Sequence, residues 1–184
     1  MSALQASTSE RLRVLHAELG IPGDYAERSG LPLIAEAPVT VVVGSPRAGG
    51  ERRLAPAAAA AWSALEAAAE RDGVRLLLLS GYRSYEYQAQ LLRRKREQGV
   101  ALADALTVLA APGYSEHHSG HAVDIGTPGC APLSTAFEDT AAFAWLERHA
   151  GSFGFRLSYP RANGFGIIYE PWHWALVPLP SGTH

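Results

Sequence analysis

A chain of 184 residues, 47% hydrophobic and 18% charged, is long enough to bury one sizeable core but hardly two. Sixteen Lys plus Arg against eighteen Asp plus Glu leave a formal charge of -2, which disfavours binding to a nucleic-acid backbone by bulk charge. The most apolar stretches, Val39 to Val43 and Leu76 to Leu79, are strand-sized, so no membrane span is expected.

The single cysteine, Cys130, cannot close an internal disulfide, which leaves packing, with or without a bound metal, to stabilise the fold. Residues Met1 to Leu19 include Glu10, Arg11, Arg13 and Glu18 and so lack the unbroken apolar stretch of a secretory signal. With Met1 as the true start, the expected compartment is the cytoplasm.

In chain order, the spacing predicts a helix from about Glu10 to Leu19, with Leu12, Leu15 and Leu19 inward and Gly20 as its stop. Val39 to Val43 reads as a β-branched strand. Pro56 suits a first helical turn and Gly73 a stop, with Trp62, Leu65 and Ala69 on one face between them. Arg75 to Leu79 reads as a strand buried on both faces, followed by the turn Ser80-Gly81-Tyr82-Arg83-Ser84. Ser84 caps a helix through about Gln98, whose basic run Arg93 to Arg96 reads as a solvated face near the negative helix end. A further helix is expected over Ala101 to Leu109. Thr135 with Glu138 resembles a capping box for a helix up to Gly151. Phe155 to Tyr159 and Gly166 to Val177 read as extended. The mixture predicts an α+β fold with a small, largely antiparallel sheet and helices packed on it.

Two segments concentrate metal-ligand residue types: Ser115 to Asp124 and Glu170-Pro171-Trp172-His173-Trp174. His117 and Asp124 are seven apart, so a straight strand points them to opposite faces and a helix separates them by about 10 Å. A reversal at Ser119-Gly120, followed by a strand that presents Asp124, would let them meet. Glu170 and His173 also have opposite strand parity. Pro171 disturbs that parity and places its strand at an edge or beside a bulge. His173 could then bind a metal and Glu170 approach the open position. Three protein ligands with a fourth position for water characterise a catalytic zinc site, and one cysteine is too few for the usual closed structural site. Spacing leaves His117 and His118 as close competitors for the ligand, with His121 disfavoured by parity and Glu116 a possible carboxylate. His16, His149 and His184 have no suitable partner nearby. Trp172 and Trp174 flank His173, and at least one is expected in the core.

Four segments in order, Ser80-Gly81-Tyr82-Arg83-Ser84 with Gln88, the S-x-H-x-x-G-x-A-x-D block over Ser115 to Asp124, Gly154-Phe155 to Tyr159-Pro160, and Glu170 to Trp174, resemble the VanY-type D-alanyl-D-alanine carboxypeptidases. These are zinc peptidases of the wider group that includes lysostaphin-type enzymes and the hedgehog fold. The resemblance implies Zn²⁺ on His117, Asp124 and His173, with Glu170 as catalytic base. It also implies that Arg83 recognises a free peptide C-terminus, with Gln88 and Ser115 as further substrate contacts. The implied activity is removal of the terminal D-alanine from peptidoglycan stem peptides. The absent export signal leans the expectation towards an L,D-carboxypeptidase acting on recycled fragments in the cytoplasm over a D,D enzyme; the rival readings are a phage-like endopeptidase, for which Arg83 would be less useful, and a non-catalytic metal-containing binding module, against which Glu170 speaks. A single domain over residues 1–184 is expected, with a motif-bearing core at about 75–177 and a helical extension at about 1–74.

Overall fold

In a computed structural model, which describes residues 3–43 and 52–177, the N-terminal helix α1 runs over Ala3–Leu19 and is followed by the short α2, Tyr25–Ser29. Leu12, Leu15 and Leu19 are buried as their spacing requires. Strands β1, Val41–Val43, and β2, Arg52–Leu54, pair antiparallel. Helix α3, Pro56–Arg71, begins with its proline in the first turn and buries Trp62, Leu65 and Ala69. Strand β3 covers Leu77–Ser80, α4 covers Tyr85–Glu97 and α5 covers Leu102–Val108. The Ser84 hydroxyl accepts from the backbone N–H of Tyr87, which is the expected cap of α4.

A 3-10 turn at Glu116–Ser119 leads through left-handed Gly120 into β4, Ala122–Gly126. The single helix expected after Thr135 is two pieces. Ser134 caps a 3-10 turn over Thr135–Asp139, and Thr140, in extended backbone, breaks the helix there and caps α6, Ala141–His149, its hydroxyl accepting from Phe143 N. The chain ends its described part with β5, Phe155–Leu157, and β6, His173–Leu176, with irregular chain between them where a longer extended segment was expected.

These last strands form a four-stranded antiparallel sheet in the order β3, β4, β6, β5. Two expectations are corrected here. Strand β3 lies at the edge of the sheet, and Leu77 and Leu79 are only half-buried while Leu76 and Leu78 are buried. The adjoining turn is covered by β2, where Tyr82 N donates to Arg53 O at 2.7 Å and Arg52 Nε donates to Leu79 O at 2.6 Å. Conversely, β6 is an interior strand. Pro171 sits just before it and therefore removes no ladder hydrogen bond.

The apolar residues form two clusters. One packs α3 and α6 against the sheet, with Val123, Ile125 and Trp174 from the strands. The other joins α1, α4 and α5 and includes Leu92, Tyr159 and Ile167. Helix α3, placed in the extension by sequence, thus belongs to the same core as the sheet.

Gly120 brings the turn before β4 against the chain that enters α3. Its φ of 69° lies in the left-handed region, and a Cβ there would stand 2.8 Å from Ala55 N, whose N–H donates to Gly120 O at 2.9 Å. Gly120→Ala is expected to cost about 1–3 kcal/mol. The measurement is urea unfolding, in which the midpoint should fall at unchanged slope; an unmoved midpoint would show that the turn relaxes without cost.

Candidate metal centre and substrate cleft

Strand pairing delivers two of the expected ligands. Asp124 on β4 is directly opposite His173 on β6, and Val123 is opposite Trp174 one step along. Directly paired residues share a face and successive residues alternate, so Val123 and Trp174 enter the core while Asp124 and His173 turn together to the other side. The 3-10 turn and the reversal at Gly120 bring in the third. His117, Asp124 and His173 each offer one donor atom, these atoms all lie within 4.8 Å of one another, and all three residues are at most 3% exposed.

The hydrogen bonds show which ring nitrogens point inward. His117 Nδ1 lies 2.7 Å from Gly81 O, an acceptor only, so that nitrogen carries the proton in the neutral ring. His117 Nε2 is then a lone pair, buried without a hydrogen-bond partner, 3.3 Å from Asp124 Oδ2. Two acceptors facing each other in a buried site are what a cation would satisfy. His173 Nε2 lies 2.9 Å from Glu116 Oε2, while Nδ1 is 3.1 Å from Asp124 Oδ1. Each imidazole therefore has one nitrogen fixed from outside and the other aimed at the common point, which is the arrangement that orients metal-binding histidines. The donor set fits a zinc ion.

Charge in the cluster is strongly coupled. Burial works against the Asp124 carboxylate, yet His117 and Arg83 beside it, with the His173 hydrogen bond, hold its pKa well below the usual range. Burial pushes His117 down to about 4, so it is neutral at ordinary pH. On His173 burial also opposes charge, but hydrogen bonds to Asp124 and Glu116 outweigh it and raise the pKa to about 10. Glu170 is pushed up to about 7, chiefly by burial, with Oε2 3.9 Å from His173 Nδ1.

These residues line a cleft of about 240 Å³ that also takes in Arg83, Gln88, Ser115 and Trp172. Trp172 is a wall of the site, whereas Trp174 packs near Phe143 in the core. Arg83 donates from Nε to Ser80 Oγ at 3.0 Å and from Nη2 to Asp124 Oδ2 at 2.5 Å. Nη1 has no hydrogen-bond partner among the described residues. Gln88, fully buried, donates to Ala110 O at 2.8 Å and leaves Oε1 without a partner. Such an orphaned acceptor costs about 1–3 kcal/mol unless a ligand supplies a donor.

The other histidines have local tasks. His118 sits between Arg83 O, 2.7 Å from Nδ1, and the Gly113 N–H, which donates to Nε2 at 3.1 Å. Both its nitrogens are used, so it ties the Arg83 turn to the loop after α5 and is not a ligand. His16 Nε2 lies 2.7 Å from Pro112 O, and His149 packs on Trp145. His121 is outside the cluster, and His184 lies outside the described residues.

Three participants were not singled out from sequence for the positions they occupy. Gly81 aims His117 through its carbonyl. Glu116, considered as a metal carboxylate, instead holds the outer nitrogen of His173; its place directly before His117 was the available signal. Tyr159 lies with its ring centroid 4.9 Å from that of His173, and burial raises its pKa so that the phenol stays neutral.

The sequence profile described as VanY, D-alanyl-D-alanine carboxypeptidase, matches residues 51–179. The match starts before residue 75, so it takes in β2 and α3. A D-alanyl-D-alanine carboxypeptidase of Enterococcus faecalis is 36% identical over 126 residues, 63% of this chain and 45% of that relative, so the chain spans less than half of its length. Among solved structures, a mutant of the vancomycin-resistance D,D-pentapeptidase VanY in complex with Zn(II) is similar at a TM-score of 0.61 and 28% identity, over 80% of this chain and 87% of that one. The LD-carboxypeptidase LdcB is similar at 0.63 and 29%, over 85% and 69%.

Because His173 holds a proton below about 10 in the metal-free protein, zinc must displace it. Zinc uptake at pH 7.5 is expected to release about one proton, and affinity should weaken about tenfold per unit as pH falls. Calorimetry in buffers of different ionisation heat measures the release; none would show that His173 already sits neutral.

Proposed function

The chain belongs to the VanY D-alanyl-D-alanine carboxypeptidase family, and on that footing we propose that it is a zinc-dependent carboxypeptidase that removes the terminal D-alanine from peptidoglycan stem peptides. The observation that carries this reading is the buried Glu170 beside the three converging donors of His117, Asp124 and His173, in a cleft that also presents Arg83. His117, Asp124 and His173 are the residues that would hold the ion. Bound there, zinc supplies Lewis acidity, polarising a carbonyl and lowering the pKa of a water towards about 7.

The remaining work falls to the chain's own groups. Glu170 Oε2 lies on the cluster's inner side, and a carboxyl poised near 7 can both take a proton from the attacking water and return it to the departing amine. A structural metal has no need of such a neighbour, which favours catalysis over a binding module. Arg83 keeps Nη1 and the second Nη2 hydrogen for the substrate's terminal carboxylate, while its contact with Asp124 fixes the guanidinium in place. Gln88 Oε1 needs a donor, and a substrate amide N–H is one. Ser115 lines the same cleft with its hydroxyl available. The neutral Tyr159 phenol adds no negative charge beside Glu170 and Glu116.

Recognition of a free C-terminus separates this reading from an endopeptidase. Amidating the C-terminal D-alanine should abolish its release; undiminished turnover would assign the cut to the peptide interior. A digest of pentapeptide and tetrapeptide separates the D,D from the L,D bond, and alanine released from the pentapeptide alone would overturn the L,D expectation for a cytoplasmic recycling enzyme. Glu170→Gln is expected to lower kcat by about 10²–10⁴-fold with stoichiometric zinc retained. Unchanged kcat in that variant, with metal content measured on the same sample, would falsify the proton relay.

A further inference from the structure

Helix α4 begins two residues after Arg83 and carries Gln88, so whatever fixes its first turn also fixes the substrate side of the cleft. Ser84 satisfies one of the free donors of that turn, the N–H of Tyr87. The N–H of Tyr85, the first helical residue, is another donor with no partner inside the helix. It is satisfied from outside, by Glu36 Oε1 at 2.6 Å, 49 positions earlier in the chain. A carboxylate in this place is favourable twice, as a charge-assisted hydrogen bond and as a negative charge at the positive end of the helix.

Glu36 belongs to an irregular strap, residues 31–40, that joins α2 to β1 and precedes the segment 51–179 carrying the family match. The other contacts of the strap run to the same place. Ile34 N donates to Gly113 O at 2.6 Å, Ala37 N donates to His118 O at 2.7 Å, and the Tyr85 hydroxyl donates to Ile34 O at 2.8 Å. Tyr85 is buried with its ring edge-on to His118, centroids 4.6 Å apart. Arg83 N in turn donates to His117 O at 3.1 Å, and Arg83 O lies 2.7 Å from His118 Nδ1. The strap, the turn at Glu116–Ser119 and the start of α4 thus meet at one junction that holds Arg83. Arg11 of α1 backs it, with Nη1 donating to Glu36 Oε2 at 3.4 Å and its guanidinium carbon 5.6 Å from the Tyr85 ring centroid. Glu36 is the one ionisable side chain in the strap. Among the described residues, Asp124, His173 and Glu170 have no hydrogen bond to the strap, so Glu36 acts on the side of the cleft away from the strand-borne ligands.

We propose that Glu36 is a positioning residue for substrate binding: by holding the first turn of α4 from the strap, it keeps the Arg83 guanidinium and the Gln88 amide together in the cleft. This rests on the carboxypeptidase reading above and adds to it a residue from outside the matched segment. Without the Glu36 acceptor the first turn of α4 is free to loosen, and only a fraction of molecules presents both groups at once. The apparent affinity for peptide falls by that fraction, whereas the metal ligands and Glu170 keep their places.

The test measures KM, kcat and bound zinc for D-alanine release from stem tetrapeptide and pentapeptide by the zinc-loaded full chain, Glu36→Ala and Glu36→Gln. Glutamine keeps an acceptor for Tyr85 N and loses only the ion pair with Arg11. Glu36→Ala should raise KM by about fivefold, the factor that one lost cap corresponds to, with kcat and zinc content unchanged. Glu36→Gln should restore most of the wild-type KM. A contact that is merely structural would lower the urea midpoint of Glu36→Ala and leave its KM in place, and that result overturns the proposal. So does an equal rise of KM in Glu36→Gln, which would assign the effect to the Arg11 pair, or a parallel loss of zinc, which would place Glu36 on the metal side. Peptide Kd on Glu170→Gln protein, with and without Glu36→Ala, repeats the comparison without turnover. A wild-type chain that binds peptide in a Glu36-dependent way yet releases no D-alanine would overturn the carboxypeptidase reading and keep the positioning role. One that neither binds nor cuts would overturn both.

Discussion

The pairing of Asp124 with His173 across β4 and β6 is the contact on which the site depends. It is a consequence of strand register, and register has only two outcomes for a side chain: one face or the other. A slip of one residue would carry Asp124 into the core and turn Val123 and Ile125 to the cleft. Burying an unpaired carboxylate is costly, and so is exposing Val123 and Ile125, so the core and the site enforce the same register. The apolar face holds the strands in place, and the polar face gains its geometry from that.

The cleft lies along the seam between two apolar clusters. Trp172 comes from the sheet cluster, and Tyr159 and Ile167 from the helical one, so a substrate would touch both. Several single contacts span this seam. Gly81 O aims His117, the Arg83 guanidinium reaches Asp124, and His118 ties the Arg83 turn to Gly113. The motif residues around Ser80 and Ser115 are thus partly an alignment device. They place a ligand on a short turn at a fixed position relative to ligands on two strands.

Glu170 is held differently from the ligands. It precedes β6 by way of Pro171 and is free of the ladder, although its own N–H donates to Tyr159 O at 3.1 Å. The backbone is therefore fixed while the carboxyl is buried without a cationic hydrogen-bond partner, which is why its pKa rises to about 7 while that of Asp124 falls. Two carboxylates a few ångströms from the same imidazole acquire opposite characters from their surroundings, one a permanent anion and the other a group able to exchange protons.

Local sequence determined the pieces that depend on near neighbours. The Ser84 cap, the first-turn Pro56, the inward faces of α1 and α3 and the reversal at Gly120 all follow from contacts within a few residues, and the α+β class follows from their sum. Ordered motifs also carried the family likeness, and with it the choice of His117 over His118 that spacing left open. Tertiary structure alone decided the rest. That β3 is an edge strand and β6 an interior one depends on pairing between residues about 50 apart in sequence, as Asp124 and His173 are. That Glu116 serves His173, that His118 is a tie, and that Lys95 lies in the cleft while Arg93 and Arg96 face α1 depends on which element packs beside each. Helical periodicity assigns a residue to a face, but only the neighbour across that face determines whether it meets solvent, core or substrate.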